Sequence, residues 1–339
     1  MSATADPLLE TLVNDFGGNY LFAVDLLEQY RQDRTSVDAT WRAYFDKALG
    51  LRPETEATPV TVIVKEAPKA ETKPAAPGGA LQTLVRQDVP AVAERSKAVA
   101  RVSILPGDIL QPMRGGAVRI VENMEASLHV PTATSARTIP VRTLEENRRL
   151  LNKHREAAGQ GKVSFTHIVA WAILRTLDTF PRLNDAYAEV DGQPHRIQRD
   201  QVRLGIAVDV QKKDGSRTLL VPNVKDAQKL DFAALLKALD DLVSRSRRGQ
   251  VSPDDFMGTT VSLTNPGTVG TTSSAPRLLP GQGVIVATGA LDYPAEYKSM
   301  APRTLGLLGI SKVMTVTSTY DHRIVQGAES GLFLGRMED

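Results

Sequence analysis

The segment Ser318-Thr319-Tyr320-Asp321-His322-Arg323-Ile324-Val325-Gln326-Gly327 stands where a strand, expected at about Lys312–Thr319, gives way to a short helix from Gly327. A single histidine just past a strand is more often a loop or packing residue than a chemical one. Its meaning therefore depends on what the chain builds ahead of it.

Working outward, further strands are expected at about Thr259–Thr264 and Gly283–Ala290. Val202, Leu204, Ile206, Val208 and Val210 alternate as a half-buried strand. Helices lie between these strands. Thr143 and Glu146 read as a capping box opening a helix that stops near Gly159. Ser164 opens a second helix, apolar on nearly every side, which Pro181 ends; such a helix belongs in the centre of the core. Asp231 caps a third helix, with Phe232, Leu235, Leu236, Leu239 and Val243 facing inward, and Gly249 ends it. From Pro106 onward the chain thus reads as an α/β domain with a mixed sheet.

The first 105 residues differ. Residues 1–50 read as a small helical module: an apolar stretch from Tyr20 to Tyr30, then a helix N-capped by Ser36 with Trp41, Tyr44, Phe45 and Leu49 on one face, stopped at Gly50. Two short amphipathic helices cannot bury both faces alone, so they must dock on this chain or on a partner. In residues 51–105, Pro53, Pro59, Pro68, Pro74, Pro77 and Pro90 alternate with Ala, Thr, Lys and Glu, the composition of a disordered tether. Ala91–Val102 could form a helix transiently.

Composition narrows the chemistry. With 42% hydrophobic residues the chain can build a sizeable core, and it has no candidate membrane span. The start, Met1 to Asp6, lacks the pattern of a signal peptide. A net charge of +2 with mixed signs argues against a dedicated nucleic-acid binder. There is no cysteine, which removes disulfides, thiolate metal sites and cysteine nucleophiles and fits a cytoplasmic protein. The five histidines, His129, His154, His167, His195 and His322, show no metal-ligand spacing. Any thiol chemistry must use thiols carried by substrates.

The segment around His322 resembles the Asp-His-Arg-x-x-Asp-Gly signature of the dihydrolipoamide acyltransferases, the E2 components of 2-oxoacid dehydrogenase complexes. Three more stretches, in order, are similar to strands of that family: Leu204-Gly205-Ile206-Ala207-Val208-Asp209, Leu220-Val221-Pro222-Asn223-Val224, and Gly258-Thr259-Thr260-Val261-Ser262-Leu263-Thr264-Asn265-Pro266-Gly267. The resemblance covers about residues 110–335 and implies a chloramphenicol acetyltransferase-like fold. Phe16-Gly17-Gly18-Asn19-Tyr20 followed by Trp41-Arg42-Ala43-Tyr44-Phe45 resembles the N-terminal segment of 2-oxoglutarate dehydrogenase E1. Together these imply residues 1–50 as an E1 N-terminal segment, 51–105 as a linker, and 106–339 as a C-terminally short acyltransferase domain. They resemble the front portion of the actinobacterial fused 2-oxoglutarate dehydrogenase/decarboxylase. No Gly-Asp-Gly motif for thiamine diphosphate is found.

The resemblance implies the chemistry. His322 is the expected base for an attacking thiol, and Thr264 the expected oxyanion donor. Coenzyme A is expected as a substrate, and the lipoyl group is expected from a separate lipoylated E2 protein. Asp46-Lys47-Ala48 matches the tip of a lipoyl hairpin, but it lies in a helical stretch and is not read as a lipoyl site. Other 2-oxoacid dehydrogenase subunits are expected partners, and a homotrimer with its site between subunits is the expected assembly. No residue names a cofactor-binding set. Gln326 departs from the signature, where the aspartate is thought to anchor the loop through a charged hydrogen bond. The expected activity is succinyl transfer, its acyl group inferred from the E1 segment. The rival is a non-catalytic trimeric assembly domain marked by Gln326. A third reading makes the chain a piece of the fused dehydrogenase. His167 is expected to be a hydrogen-bonded core residue, and His129, His154 and His195 are assigned nothing.

Overall fold

The computed structural model describes residues 7–16, 20–51, 103–113, 116–211 and 217–339. The tether expected over 51–105 therefore lies mostly outside the described residues. Of the described residues, those up to Leu51 and those from Met113 onward belong to one compact unit, and 103–112 belong to another.

Three helices open the chain, α1 (Pro7–Phe16), α2 (Tyr20–Gln32) and α3 (Ala39–Ala48). Phe16, Tyr20, Trp41 and Phe45 are buried among them, but the module does not close on itself. Its apolar face docks on this chain. The Trp41 indole donates to the carbonyl of Val251 at 2.8 Å, and the Phe22 ring lies 5.4 Å from that of Phe256. Leu220, Val251 and Phe256 join the same cluster. An indole needs a partner for its N–H when buried, and the Val251 carbonyl supplies it. Ser36 is not the cap of α3. Asp38 is, its carboxylate accepting from Thr40 N–H at 2.8 Å, while Ser36 ends a short turn capped by Asp33.

The larger part begins with α4 (Gly116–Leu128), whose Glu122 accepts a hydrogen bond from the Tyr20 hydroxyl at 3.0 Å. Next come β1 (Thr132–Pro140), α5 (Arg142–Ala157) and α6 (Phe165–Leu177). The proposed Thr143 cap is absent: Val141 holds the N-cap position of α5 without a side-chain bond, and Glu146 pairs with Arg142 at 3.2 Å instead. Ser164 does cap α6. This helix carries Ile173 and Leu174 fully buried and packs on the two later helices α7 (Phe232–Arg247) and α9 (Gly327–Glu338).

Two hairpins follow α6. They are β2 (Ala186–Val190) with β3 (Gln193–Ile197), and β5 (Val208–Gln211) with β6 (Arg217–Leu220). The strand expected over Val202–Val210 is broken between them. Only β4 (Leu204–Ile206) enters the main sheet; Ala207 gives its N–H to Leu263 and the chain leaves to form β5. The remaining strands are β7 (Asn223–Val224), β8 (Val261–Thr264), β9 (Val284–Thr288) and β10 (Val313–Asp321), with α8 (Pro302–Leu307) before the last. The main sheet has the order β1-β10-β9-β8-β4-β7. β8 runs parallel to both β4 and β9, whereas β10 is antiparallel to β9 and β1, so the sheet is mixed as expected. No helix among the described residues is long and apolar enough to cross a membrane.

His167 on α6 is a hydrogen-bonded core residue. Its Nδ1 accepts from the Ser164 N–H at 3.2 Å, which leaves Nε2, 3.2 Å from Asp240, to carry the proton. Burial lowers its pKa, Asp240 opposes this, and Arg155 adds to the lowering. The unfolded chain therefore binds this proton more readily than the folded one. Stability from this group is full above the unfolded pKa, near ~6.5, and falls as pH drops below it. Urea midpoints measured between pH 7.5 and 5 should fall with pH, and His167→Asn should flatten that slope.

Candidate active site

The His322 turn is built from its neighbours. β10 ends at Asp321, paired with Thr132 of β1, and the next N–H, that of His322, donates to the Pro131 carbonyl at 2.9 Å. Asp321 is buried and acts within the turn. Its carboxylate accepts from the Arg323 N–H at 3.0 Å and from the guanidinium at 2.9 and 2.6 Å, while its carbonyl accepts from Val325 N–H at 3.0 Å. Arg323 in turn lies over the Tyr187 ring of β2 at 3.7 Å, and the bond to Asp321 raises its pKa. A bidentate pair on a buried carboxylate fixes a short loop firmly. The outcome is a pinned backbone with an exposed imidazole. Its ring stands edge-on to Tyr320 at 5.6 Å, and its nitrogens have no hydrogen bond among the described residues.

Gln326 is the N-cap residue of α9 and makes no side-chain cap bond. Glutamine is a poor cap, because its longer side chain does not fold back onto the first free N–H groups as aspartate does. Those N–H groups, on Ala328 and Glu329, would supply the positive end an aspartate needs. Gln326→Asp is thus expected to raise stability by about 1 kcal/mol, read as a higher urea midpoint with unchanged slope.

Thr264 is the last residue of β8, half-buried, with its hydroxyl free of partners among the described residues. The loop beyond it is clamped. Asn265 donates to the Thr166 hydroxyl at 3.1 Å, and Gly267 lies so close to Gly289 that a Cβ would sit 2.3 Å from its carbonyl carbon. Only glycine permits that approach.

The two residues do not meet within one chain. Thr264 is level with Ala287, and Ala287 with Thr317, whereas His322 follows five residues beyond Thr317 along β10. At about 3.3 Å per residue that is roughly 17 Å along the sheet, plus about 10 Å across two strand spacings. They stand at opposite ends of the sheet.

The other histidines gather no constellation. His154 and His129 are exposed, and exposed His195 faces its own hairpin through the Gln193 carbonyl at 2.9 Å. The groups that hold the turn, Pro131 and Tyr187, were not read from the sequence. Arg323 stands in the signature, and its fixed place after the histidine is the sequence signal for its part in the turn.

Residues 107–339 match the family model of the 2-oxoacid dehydrogenases acyltransferase (catalytic domain), and residues 16–48 match that of the 2-oxoglutarate dehydrogenase N-terminus. The chain is 39% identical over 339 aligned residues to the multifunctional 2-oxoglutarate metabolism enzyme of Mycolicibacterium vanbaalenii, covering 94% of this chain. It is 41% identical over 329 residues to the 2-oxoglutarate dehydrogenase E1/E2 component of Corynebacterium glutamicum, covering 95% of this chain. It spans 27% of the length of each of these two relatives. Among solved structures, the dihydrolipoamide acetyltransferase of Azotobacter vinelandii shares the fold at a TM-score of 0.59 and 23% identity, over 71% of this chain and 96% of that one. The probable dihydrolipoamide acetyltransferase of Listeria monocytogenes gives 0.57 and 20%, over 68% and 93%.

Proposed function

The chain belongs to the 2-oxoacid dehydrogenase acyltransferase family, and on that premise we propose that it moves a succinyl group between dihydrolipoyl-lysine and coenzyme A. The acyl group follows from the 2-oxoglutarate names of its relatives and from the matching N-terminal segment. The lipoyl-lysine comes from a separate lipoylated protein, and the reaction is cytoplasmic.

In this reading the base is His322 and the oxyanion donor is Thr264 of a second copy. A thiol of pKa ~8.5 is mostly protonated at neutral pH, and a nearby imidazole can take its proton. The thiolate of coenzyme A then attacks the thioester carbonyl. The negative charge developing on the carbonyl oxygen is met by the Thr264 hydroxyl. Collapse breaks the bond to the dihydrolipoyl sulfur, which receives the proton back from the imidazolium. Nothing covalent forms on the protein, in keeping with a chain without cysteine.

The observation that carries the proposal is the separation of the two residues. An exposed, backbone-pinned imidazole and a free threonine hydroxyl at opposite ends of one sheet are of use together only if copies meet end to end, as in a closed ring such as a trimer. Steady-state succinyl transfer between dihydrolipoamide and coenzyme A is the test. Transfer by the wild-type chain above the His322→Ala background supports catalysis. Its absence with a competent lipoyl donor would leave a trimeric assembly domain.

A further inference from the structure

A cavity of about 260 Å³ opens beside the start of β4 and β8, and Arg199 and Arg203 line it. Neither guanidinium has an ion-pair partner among the described residues. The Arg199 Nε is buried without a hydrogen-bond partner, and its terminal nitrogen reaches only the Gly281 carbonyl at 3.3 Å. Arg203 makes two long contacts, to the Met257 carbonyl at 3.3 Å and to the Gln201 side chain at 3.4 Å. The nearby buried carboxylate, Asp185, is 3.6 Å from Arg196. Asp200, the carboxylate of the cavity wall, is exposed and pairs with neither arginine. Burial, and after it the charge of Arg203, lowers the pKa of Arg199, while Asp185, whose carboxylate accepts from the Arg199 backbone N–H at 3.2 Å, opposes the shift. Gly258 keeps the space open, because a Cβ there would lie 2.5 Å from the Arg203 guanidinium.

Among the described residues, Asp185 is the one buried carboxylate beside the two arginines, and it pairs with Arg196 and forms no ion pair with either, so two cations facing one cavity are only partly compensated. A planar fork of donors suits the oxygens of a carboxylate or a phosphate, and two such forks on one cavity favour the phosphate, which carries more charge and more acceptor oxygens. The volume is several times the ~30 Å³ share of a liquid water, room enough for a diphosphate. We propose that Arg199 and Arg203 form a subsite for phosphate groups. On the acyl-transfer reading, those phosphates are the ones of coenzyme A. Position supports that source. Thr260, on the cavity wall, accepts from Gly283 N–H at 3.1 Å, and Gly283 accepts from Asp321 N–H at 3.3 Å. The cavity and the His322 turn therefore share one end of the sheet, about 10 Å apart across two strands. An extended pantetheine arm spans such a gap.

Calorimetric titration of the full chain with inorganic diphosphate and with coenzyme A, in wild type, Arg199→Gln and Arg203→Gln, tests this. Each variant should weaken binding about ten- to a hundredfold, the scale of losing a charge-assisted hydrogen bond. The KM for coenzyme A should rise similarly with kcat little changed. Weakened diphosphate binding with coenzyme A unaffected would keep the phosphate subsite and assign it to free phosphates. If neither ligand is weakened by either variant, the subsite is overturned. Acyl transfer with an unaltered KM would overturn the coenzyme A assignment while leaving the function intact. Arg203 also holds the Met257 carbonyl, so a thermal melt accompanies each variant, and Arg199→Gln alone decides if Arg203→Gln unfolds.

Discussion

Replacing His322 by alanine is expected to lower succinyl transfer by about two to four orders of magnitude, the scale of losing a general base. The structure makes this a clean experiment. The imidazole is exposed and bonds to nothing among the described residues, so its removal leaves no cavity and no orphaned partner. The turn itself is held by other groups. The bond from the residue 322 N–H to Pro131 is a backbone bond that alanine keeps, and Asp321 with Arg323 holds the rest. Surface substitutions of this kind usually stay within about 0.5 kcal/mol of wild-type stability. Unfolding midpoint and oligomer mass should therefore be unchanged while the rate collapses. A fall in rate of less than tenfold, with fold and mass intact, would remove His322 as the base. The transfer would then need another proton acceptor, and among the described residues exposed His129 is the other histidine near this end of the sheet without a side-chain hydrogen bond.

How far the sequence could be read depends on which force built each element. Strong apolar periodicity was legible: α7, β8, β9 and β10 lie within one or two residues of expectation, and α6 starts where expected but ends at Leu177, ahead of Pro181, because burial of Ile173, Leu235 or Val286 leaves little choice. β1 was not legible. Its residues, Thr132 to Pro140, carry small and polar side chains without apolar alternation, and the strand is held by cross-strand pairs such as Thr134 with Thr319, hydroxyl to hydroxyl at 2.8 Å. α4 escaped because its partner is distant in sequence, as the bond from Tyr20 of α2 to Glu122 illustrates. Caps went both ways. Ser164 and Asp231 cap as read, but Ser36 and Thr143 do not, because a capping pattern is satisfied only where the helix starts at that residue. In the site, resemblance named His322 and Thr264, but no local pattern could tell that the sheet would carry them to opposite ends. That follows from strand order and direction, which are properties of the whole sheet.

Thr264→Val should lower the rate by about two to three orders of magnitude, as removal of an oxyanion donor does. Valine keeps the shape of the side chain and suits a strand end, so the clamped loop beyond it should stay in place. On its own this result would not say whose threonine serves which histidine. A mixture does. When His322→Ala and Thr264→Val chains are unfolded together and reassembled in equal amounts, a site shared between copies can draw its histidine from one variant and its threonine from the other. In a closed ring with random placement, about a quarter of the sites are then whole, so activity should return to about a quarter of wild type. If both residues acted within one chain, every chain would lack one of them and the mixture would stay as inactive as its parts. The two outcomes differ by roughly two orders of magnitude, given the loss expected for each variant alone. Recovery would also require copies to associate, so it tests the oligomer at the same time. A mixture that reassembles to the wild-type mass but recovers nothing would sink the shared site, and with it the explanation of why one chain keeps His322 and Thr264 some 20 Å apart by strand geometry, a distance of about five residues along the sheet and two strands across it.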